Sequence, residues 1–242
     1  SHNISIPLIQ ALGTEEQKEK FIPPVIKGEK IAALAMTEPS GGSDVAGLKT
    51  RAVRKDDHFI VNGSKMFITS GMRADTYVVG VRTGGEGASG ISILVIEKDT
   101  PGFEIGPSYR YMNGEFWSPL YFDNCRIPES NILLGAGGFK KQISGFNIER
   151  LGNAGRAVSV GRKAFSEACE HAKSRQQFGR DICEFQGLQW KFAVMEMRLE
   201  AAQLLLLRAV TKADSNLPSA QDSALAKLAC NEAGFFAANE AL

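Results

Sequence analysis

The feature that most constrains this fold is a change of texture just after residue 134. From Ile31 to Pro128 the apolar residues come in short β-type runs: Ile31 to Met36, Thr50 to Lys55, Phe59 to Val61, Met66 to Thr69, Thr76 to Val81, Ile91 to Ile96 and Leu120 to Phe122. Gly, Pro and Asn-Gly turns separate them at the spacing of an antiparallel barrel or sandwich. After Gly135-Ala136-Gly137-Gly138 the period lengthens, with Phe139, Ile143, Phe146, Leu151, Ala154, Val158, Phe165 and Ala168 recurring at helical intervals. Leu188, Phe192, Met195, Leu199, Ala202 and Leu206 mark a second long helix, and Ser219 is placed to cap a third that runs toward Leu242. Helices this long with apolar stripes bury them on one another. The chain therefore reads as α+β: an antiparallel β-barrel or sandwich middle domain flanked by helical segments, with a C-terminal part of helical-bundle type. Ahead of the β region, Thr14 and Gln17 form a capping box that opens a short helix through about Phe21, and Pro23-Pro24 is expected to stop it.

Composition excludes several function classes. With 242 residues, 43% of them hydrophobic, the chain can bury one large core or two modest ones. Its 28 basic and 27 acidic residues leave a formal charge of +1, so no global field draws nucleic acid or an anionic membrane, and any anionic ligand must be held locally. The apolar run from Leu204 to Leu207 is cut by Arg208, far short of the roughly 20 residues of a spanning helix, so no membrane insertion is expected. Cys125, Cys169, Cys183 and Cys230 form no C-x-x-C pair, and His2, His58 and His171 are dispersed. Metal sites, disulfide frameworks and serine-hydrolase chemistry are all disfavoured, and a reducing compartment is implied, cytoplasmic or, in a eukaryote, the mitochondrial matrix. Gly85-Glu86-Gly87-Ala88-Ser89-Gly90 matches G-x-G-x-x-G, yet it precedes a strand-like run and opens no helix. It reads as a hairpin loop, which argues against a Rossmann NAD site.

The stretches that carry chemistry are Met36-Thr37-Glu38-Pro39-Ser40-Gly41-Gly42-Ser43-Asp44 and Asn62-Gly63-Ser64-Lys65-Met66-Phe67-Ile68-Thr69-Ser70-Gly71. The glycines of the first let backbone N–H groups approach an anion or a ring edge, and Thr37 and Ser43 add hydroxyls that can donate to carbonyl or phosphate oxygens. Phe67 and Ile68 give the second an apolar surface, and Thr69 adds a hydroxyl able to reach a polar ring edge. A flavin pocket would use all of these.

Together the two stretches resemble the acyl-CoA dehydrogenase family, whose first loop follows T-E-P-x-x-G-S-D and whose second reads roughly N-G-x-K-x-[WF]-I-T. Further matches follow in family order: Tyr121-Phe122-Asp123-Asn124-Cys125-Arg126-Ile127-Pro128, Phe146-Asn147-Ile148-Glu149-Arg150-Leu151, and Arg175-Gln176-Gln177-Phe178-Gly179 with Gln186. The resemblance implies FAD as cofactor. It implies that Leu34, Ala35, Met36, Thr37, Gly42 and Ser43 line the flavin, with Thr37 toward the pyrimidine edge and Ser43 toward the pyrophosphate. Phe67, standing where many relatives carry Trp, Ile68 and Thr69 form the other wall, with Thr69 toward N5 and O4. Arg175, Phe178 and Gln186 are implied to reach the FAD of a neighbouring subunit, an Arg fork being suited to phosphate. A homo-oligomer, dimer or tetramer, would follow.

The same resemblance implies α,β-dehydrogenation of an acyl-CoA thioester, with electrons passed to an electron-transfer flavoprotein. Some members place their catalytic base late in the C-terminal domain. Others, of the isovaleryl-CoA and long-chain type, place it at the position of Glu149. Ser43, Asn147 and Arg150 are implied to touch substrate, with Asn147 replacing an Asp of several relatives near the pantetheine arm. The domain pattern becomes the end of an N-terminal helical domain in residues 1–30, a β domain in 31–136, and a partial C-terminal bundle in 137–242. On that pattern the chain is expected to be a segment of a longer protein. An acyl-CoA oxidase or flavin monooxygenase on the same scaffold is a related alternative, and a non-catalytic acyl-CoA or flavin-binding module is another.

Overall fold

A computed structural model describes residues 2–214 and 217–242, with side chains from residue 5 onward apart from 140–142. Contacts divide the chain into two compact units, Ser1–Gly145 and Phe146–Leu242. In the first, helices α1 (His2–Leu12) and α2 (Glu15–Ile26) precede a sheet. The capping box forms as expected: Gln17 N donates to Thr14 Oγ1 at 3.2 Å, and Thr14 N to Gln17 Oε1 at 3.1 Å. Gln17 also reaches the sheet side, its Nε2 donating to the carbonyls of Ser130 (2.7 Å) and Ile132 (2.8 Å). The expected stop at Pro23-Pro24 is wrong, because the helix runs through both prolines to Ile26. Proline's fixed φ is itself helical, and only the carbonyls one turn earlier lose donors, a tolerable loss in the last turn. Lys27 N to Pro23 O (3.0 Å) and Glu29 N to Pro24 O (2.9 Å) then close the end.

Among the described residues nine strands form one sheet: β1 (Ala32–Ala35), β2 (Arg51–Lys55), β3 (His58–Thr69), β4 (Thr76–Arg82), β5 (Ile91–Glu97), β6 (Phe103–Ile105), β7 (Tyr109–Arg110), β8 (Phe116–Pro128) and β9 (Ile132–Leu134). Their order is β6-β8-β3-β2-β4-β5-β9, with β1 added on β4 and β7 on β8. Most pairings are antiparallel, but β1 and β2 both run parallel to β4, so the sheet is mixed where a purely antiparallel one was expected. Inward side chains such as Ala52, Val61, Ile68, Tyr77, Leu94, Phe122 and Ile127 meet in one core. Asn62-Gly63, expected as a turn, lies inside β3. The thirteen-residue β8 supplies a continuous partner, and the local turn preference is absorbed as a bulge where the register slips between Val61 and Gly63. Gly63 takes φ 142 there, and a Cβ would sit 2.8 Å from Thr50 Cα. The Gly85–Gly90 loop does join antiparallel neighbours β4 and β5, and Arg82 pins it by donating to the carbonyls of Gly85 and Gly87.

The second unit holds most of helix α3 (Phe139–Ser174), a small hairpin β10 (Gln176–Gln177) and β11 (Arg180–Asp181), and helices α4 (Gln186–Ala213) and α5 (Ala220–Glu240). Ser219 caps α5 as expected, accepting from Asp222 N at 3.0 Å. The three apolar stripes meet in a core of Ala154, Val158, Met195, Leu199, Ala202, Cys230, Ala233 and Ala237. Small residues let α3 and α5 approach closely: a Cβ on Gly161 would lie 2.8 Å from both Gly234 Cα and Leu199 Cδ2. Among the described residues no helix is long and apolar enough to cross a membrane.

Candidate functional site: the Thr37 loop and the outer face of β3

The two motif stretches, 25 residues apart in sequence, touch through their backbones. Met66 N donates to Thr37 O at 2.8 Å. Beside that bond lies an ion pair that composition did not reveal: Lys65 Nζ sits 2.9 Å from Glu38 Oε1 and 3.2 Å from Met36 O. The Lys65 side chain is 0% exposed and that of Glu38 4%. Glu38 also accepts from Lys49 N (2.6 Å) and Thr50 N (2.8 Å), which fastens the far end of the loop to the start of β2. Burial pushes the Lys65 ammonium down to about 8 against the pull of Glu38. For Glu38 burial acts upward, but the bond from Thr50 and the Lys65 charge outweigh it, and the carboxyl is held below its ordinary range. Glu38 and Lys65 stand inside the two motifs, but 27 positions apart nothing in their residue types declares them a pair. The available signal was a lysine on the inward phase of a strand that otherwise turns Val61 and Ile68 to the core.

A second bulge decides what faces outward. Lys65 lies opposite Leu120 and Ile68 opposite Ser118, so β3 carries one extra residue there. That residue pair allows both Lys65 and Ile68 to point inward while Phe67 is thrown outward at φ 59, 53% exposed. A bulky left-handed residue costs about 1–3 kcal/mol and persists where the surroundings over-determine it. Here Trp117 packs on Phe67 with ring centroids 4.7 Å apart, Tyr109 stacks on Trp117 at 4.6 Å, and Tyr111 Oη donates to Phe67 O at 3.3 Å. Thr69, half-buried, pairs with Trp117 across the strands.

The remaining first-unit residues surround this edge unevenly. Ala35 is in the core, Leu34 and Met36 are half-buried on or next to β1, and Ser43 is exposed. Gly42 lies over Thr37, where a Cβ would stand 3.1 Å from Thr37 Cγ2. Neither Thr37 nor Thr69 spends its hydroxyl on another described residue. Two unspent, half-buried hydroxyls able to donate, a glycine that keeps the loop open and an outward aromatic ring match in kind the polar edge and apolar face of a flavin, so their chemistry fits FAD.

In the second unit Asn147, Glu149 and Arg150 sit near the start of the long helix. Asn147 is 3% exposed and uses both ends of its amide: Nδ2 donates to Pro218 O at 2.8 Å and Oδ1 accepts from Arg150 at 2.6 Å. It therefore aims Arg150. Glu149 is half-buried and forms no ion pair among the described residues. Arg175 and Phe178 belong to the β10–β11 hairpin. Phe178 (φ 54) and Gly179 (φ 77) make its two-residue turn, a type I′ geometry that needs left-handed backbone at both positions. The turn holds Phe178 at the tip, 94% exposed, with Arg175 and Gln186 exposed on either side.

Comparison with known proteins places the chain in a family. Residues 33–125 match "Acyl-CoA dehydrogenase, middle domain" and residues 136–242 match "Acyl-CoA dehydrogenase, C-terminal domain". The chain belongs to the acyl-CoA dehydrogenase family. It is 38% identical over 234 residues to an acyl-CoA dehydrogenase of Bacillus subtilis (strain 168), covering 95% of this chain and 62% of the relative. The solved butyryl-CoA dehydrogenase of Megasphaera elsdenii matches with a TM-score of 0.93 at 35% identity, over 99% of this chain and 64% of that one. A glutaryl-CoA dehydrogenase of Mycobacterium smegmatis in complex with FADH2 matches with a TM-score of 0.91 at 31% identity, over 99% and 61%. The chain thus spans about three fifths of the length of such family members, and the acyl-CoA dehydrogenase fold accounts for both of its units.

Proposed function

We propose that the whole protein is an FAD-dependent acyl-CoA dehydrogenase that introduces a trans-2 double bond into an acyl-CoA thioester and passes the electrons to an electron-transfer flavoprotein. The observation that carries the reading is the outward, left-handed Phe67 on β3, with the unspent hydroxyls of Thr37 and Thr69 on a loop and a strand that the buried Lys65–Glu38 pair ties together. Thr37, Gly42, Ser43, Phe67 and Thr69 hold the cofactor, which when bound supplies the acceptor for the substrate's β-hydride. Thr37 and Thr69 donate to its polar edges, and Phe67 with Trp117 keeps water from one face. Glu149 takes the α-proton, a task for a carboxylate removed from bulk water and free of a neutralising partner. Arg150, aimed by Asn147, and Ser43 contact the thioester substrate. Arg175, Phe178 and Gln186 complete the cofactor site of a neighbouring subunit, so the protein works as a homo-oligomer. The site is in the cytoplasm or, in a eukaryote, the mitochondrial matrix.

The test is Glu149→Gln in the full-length protein, a change that keeps volume and removes the base. It should retain FAD yet lose flavin bleaching by acyl-CoA by a factor on the order of 100 or more. Near-wild-type bleaching would move the base to a carboxylate beyond Leu242.

A further inference from the structure

Lys65 is a buried cation that the proposed reaction does not use. It lies on the inward side of β3, whose neighbours Val61 and Ile68 belong to the apolar core, and taking an ammonium out of water costs several kcal/mol. A strand that needed only to be anchored has cheaper solutions. What a cation does here, and an aliphatic side chain does not, is reach two acceptors that bracket a single residue. Nζ bonds the carbonyl of Met36 on one side of Thr37 and the carboxylate of Glu38 on the other. The next residue of the strand, Met66, takes the carbonyl of Thr37 itself. Three bonds from two adjacent residues of β3 thus hold three consecutive residues of the loop, and the Glu38–Gly41 bridge closes it behind them.

We propose that Lys65 is a positioning residue for the cofactor: it holds the Met36 carbonyl on one side of Thr37 and the Glu38 carboxylate on the other, and so sets where the Thr37 hydroxyl meets the flavin ring. The inference rests on the reading of the Thr37 loop as a flavin wall. Lys65 touches neither flavin nor substrate, and its whole effect passes through Thr37. Met66 N already occupies the Thr37 carbonyl, so the loop is held before any ligand arrives, which is preorganisation in the sense that less freedom is lost on binding.

The experiment uses full-length apoprotein titrated with FAD, following flavin fluorescence for affinity and the visible absorption band of the bound flavin for environment. Thr37→Val, Lys65→Met and the combination of the two are compared, with folding checked by circular dichroism. Thr37→Val and Lys65→Met should each weaken FAD by about tenfold, the equivalent of one well-placed interaction, and shift the band in the same direction. Their combination should be no worse than the weaker single variant. If Lys65→Met does not fold, Lys65→Met/Glu38→Gln, which leaves no lone charge, is compared with Thr37→Val in its place and should behave alike. Folded Lys65 variants with unchanged affinity and spectrum, while Thr37→Val responds, would overturn this inference and leave the flavin wall standing. Effects that multiply would also overturn it, since Lys65 would then act independently of Thr37. A silent Thr37→Val would remove the flavin wall and this inference together.

Discussion

Breaking the Lys65–Glu38 pair from one side should be among the most damaging single changes available in the first unit. In Lys65→Met the Glu38 carboxylate keeps its bonds from Lys49 N and Thr50 N, but its charge, 4% exposed, has no counter-ion, and Met36 O loses a donor. Removing one partner of a buried pair costs about 3–5 kcal/mol, chiefly through the charge left behind. At about 2–4 °C per kcal/mol for a protein of this size, the melting temperature should fall by roughly 6–20 °C. Adding Glu38→Gln to that variant should recover most of the loss, because the amide can still face the loop without needing a counter-ion. The acid limb follows from the lowered pKa of Glu38. Its folded value lies below the 4.5 of an unfolded glutamate, so its stabilisation is fully present above that pH and is lost as pH falls through the folded value. The double variant should lack that part of the acid sensitivity. Urea unfolding of apoprotein, followed by far-UV circular dichroism at pH 7 and at steps down to about pH 2, measures all three quantities. The reasoning fails if Lys65→Met costs under about 1 kcal/mol, the range of an exposed pair, or if the double variant is no more stable than the single.

Two glycines of α3 provide a matched comparison. Gly152→Ala, where a Cβ meets nothing within 4 Å, should stabilise the second unit by up to about 1 kcal/mol through helix propensity. Gly161→Ala gains the same propensity but forces a methyl against Gly234 Cα and Leu199, overpacking that costs about 1–3 kcal/mol, so thermal melts of the two should separate in opposite directions. Arg175→Ala should lower FAD retention through gel filtration while leaving the β-sheet signal in circular dichroism intact, and unchanged flavin content would count against a role at the neighbouring site. Ser219→Ala should destabilise α5 by about 1 kcal/mol, read as faster amide exchange in its first turn, since Asp222 N loses its acceptor.

Local pattern accounted for the elements whose partners lie close in sequence or whose period is long. The three C-terminal helices, the Thr14–Gln17 box and the Ser219 cap all depend on residues within one turn of each other, and the sequence declares them. The family resemblance likewise rests on contiguous motifs, and it brought Thr37, Gly42, Phe67 and Thr69 forward by residue type. The features that failed are those where a distant partner overrides local preference. Asn62-Gly63 has the chemistry of a turn, but thirteen-residue β8 pairs along it and keeps it in the strand, with the extra residue on β8 where the register slips. Pro23-Pro24 has the chemistry of a stop, yet its φ is helical and the lost donors fall at the helix end. Strict alternation from Lys65 would turn Phe67 inward with it. The second bulge reverses this, and it exists only because β8 sets the register. Lys65 already lies on the inward phase set by Val61, but the partner that lets it be buried there, Glu38, lies 27 positions away. The sequence by itself determined which residues could bind a ring and which segments could be helix or strand. Tertiary pairing decided which face each one took, because the energy of a continuous ladder and of a desolvated charge pair exceeds the preference of any single turn.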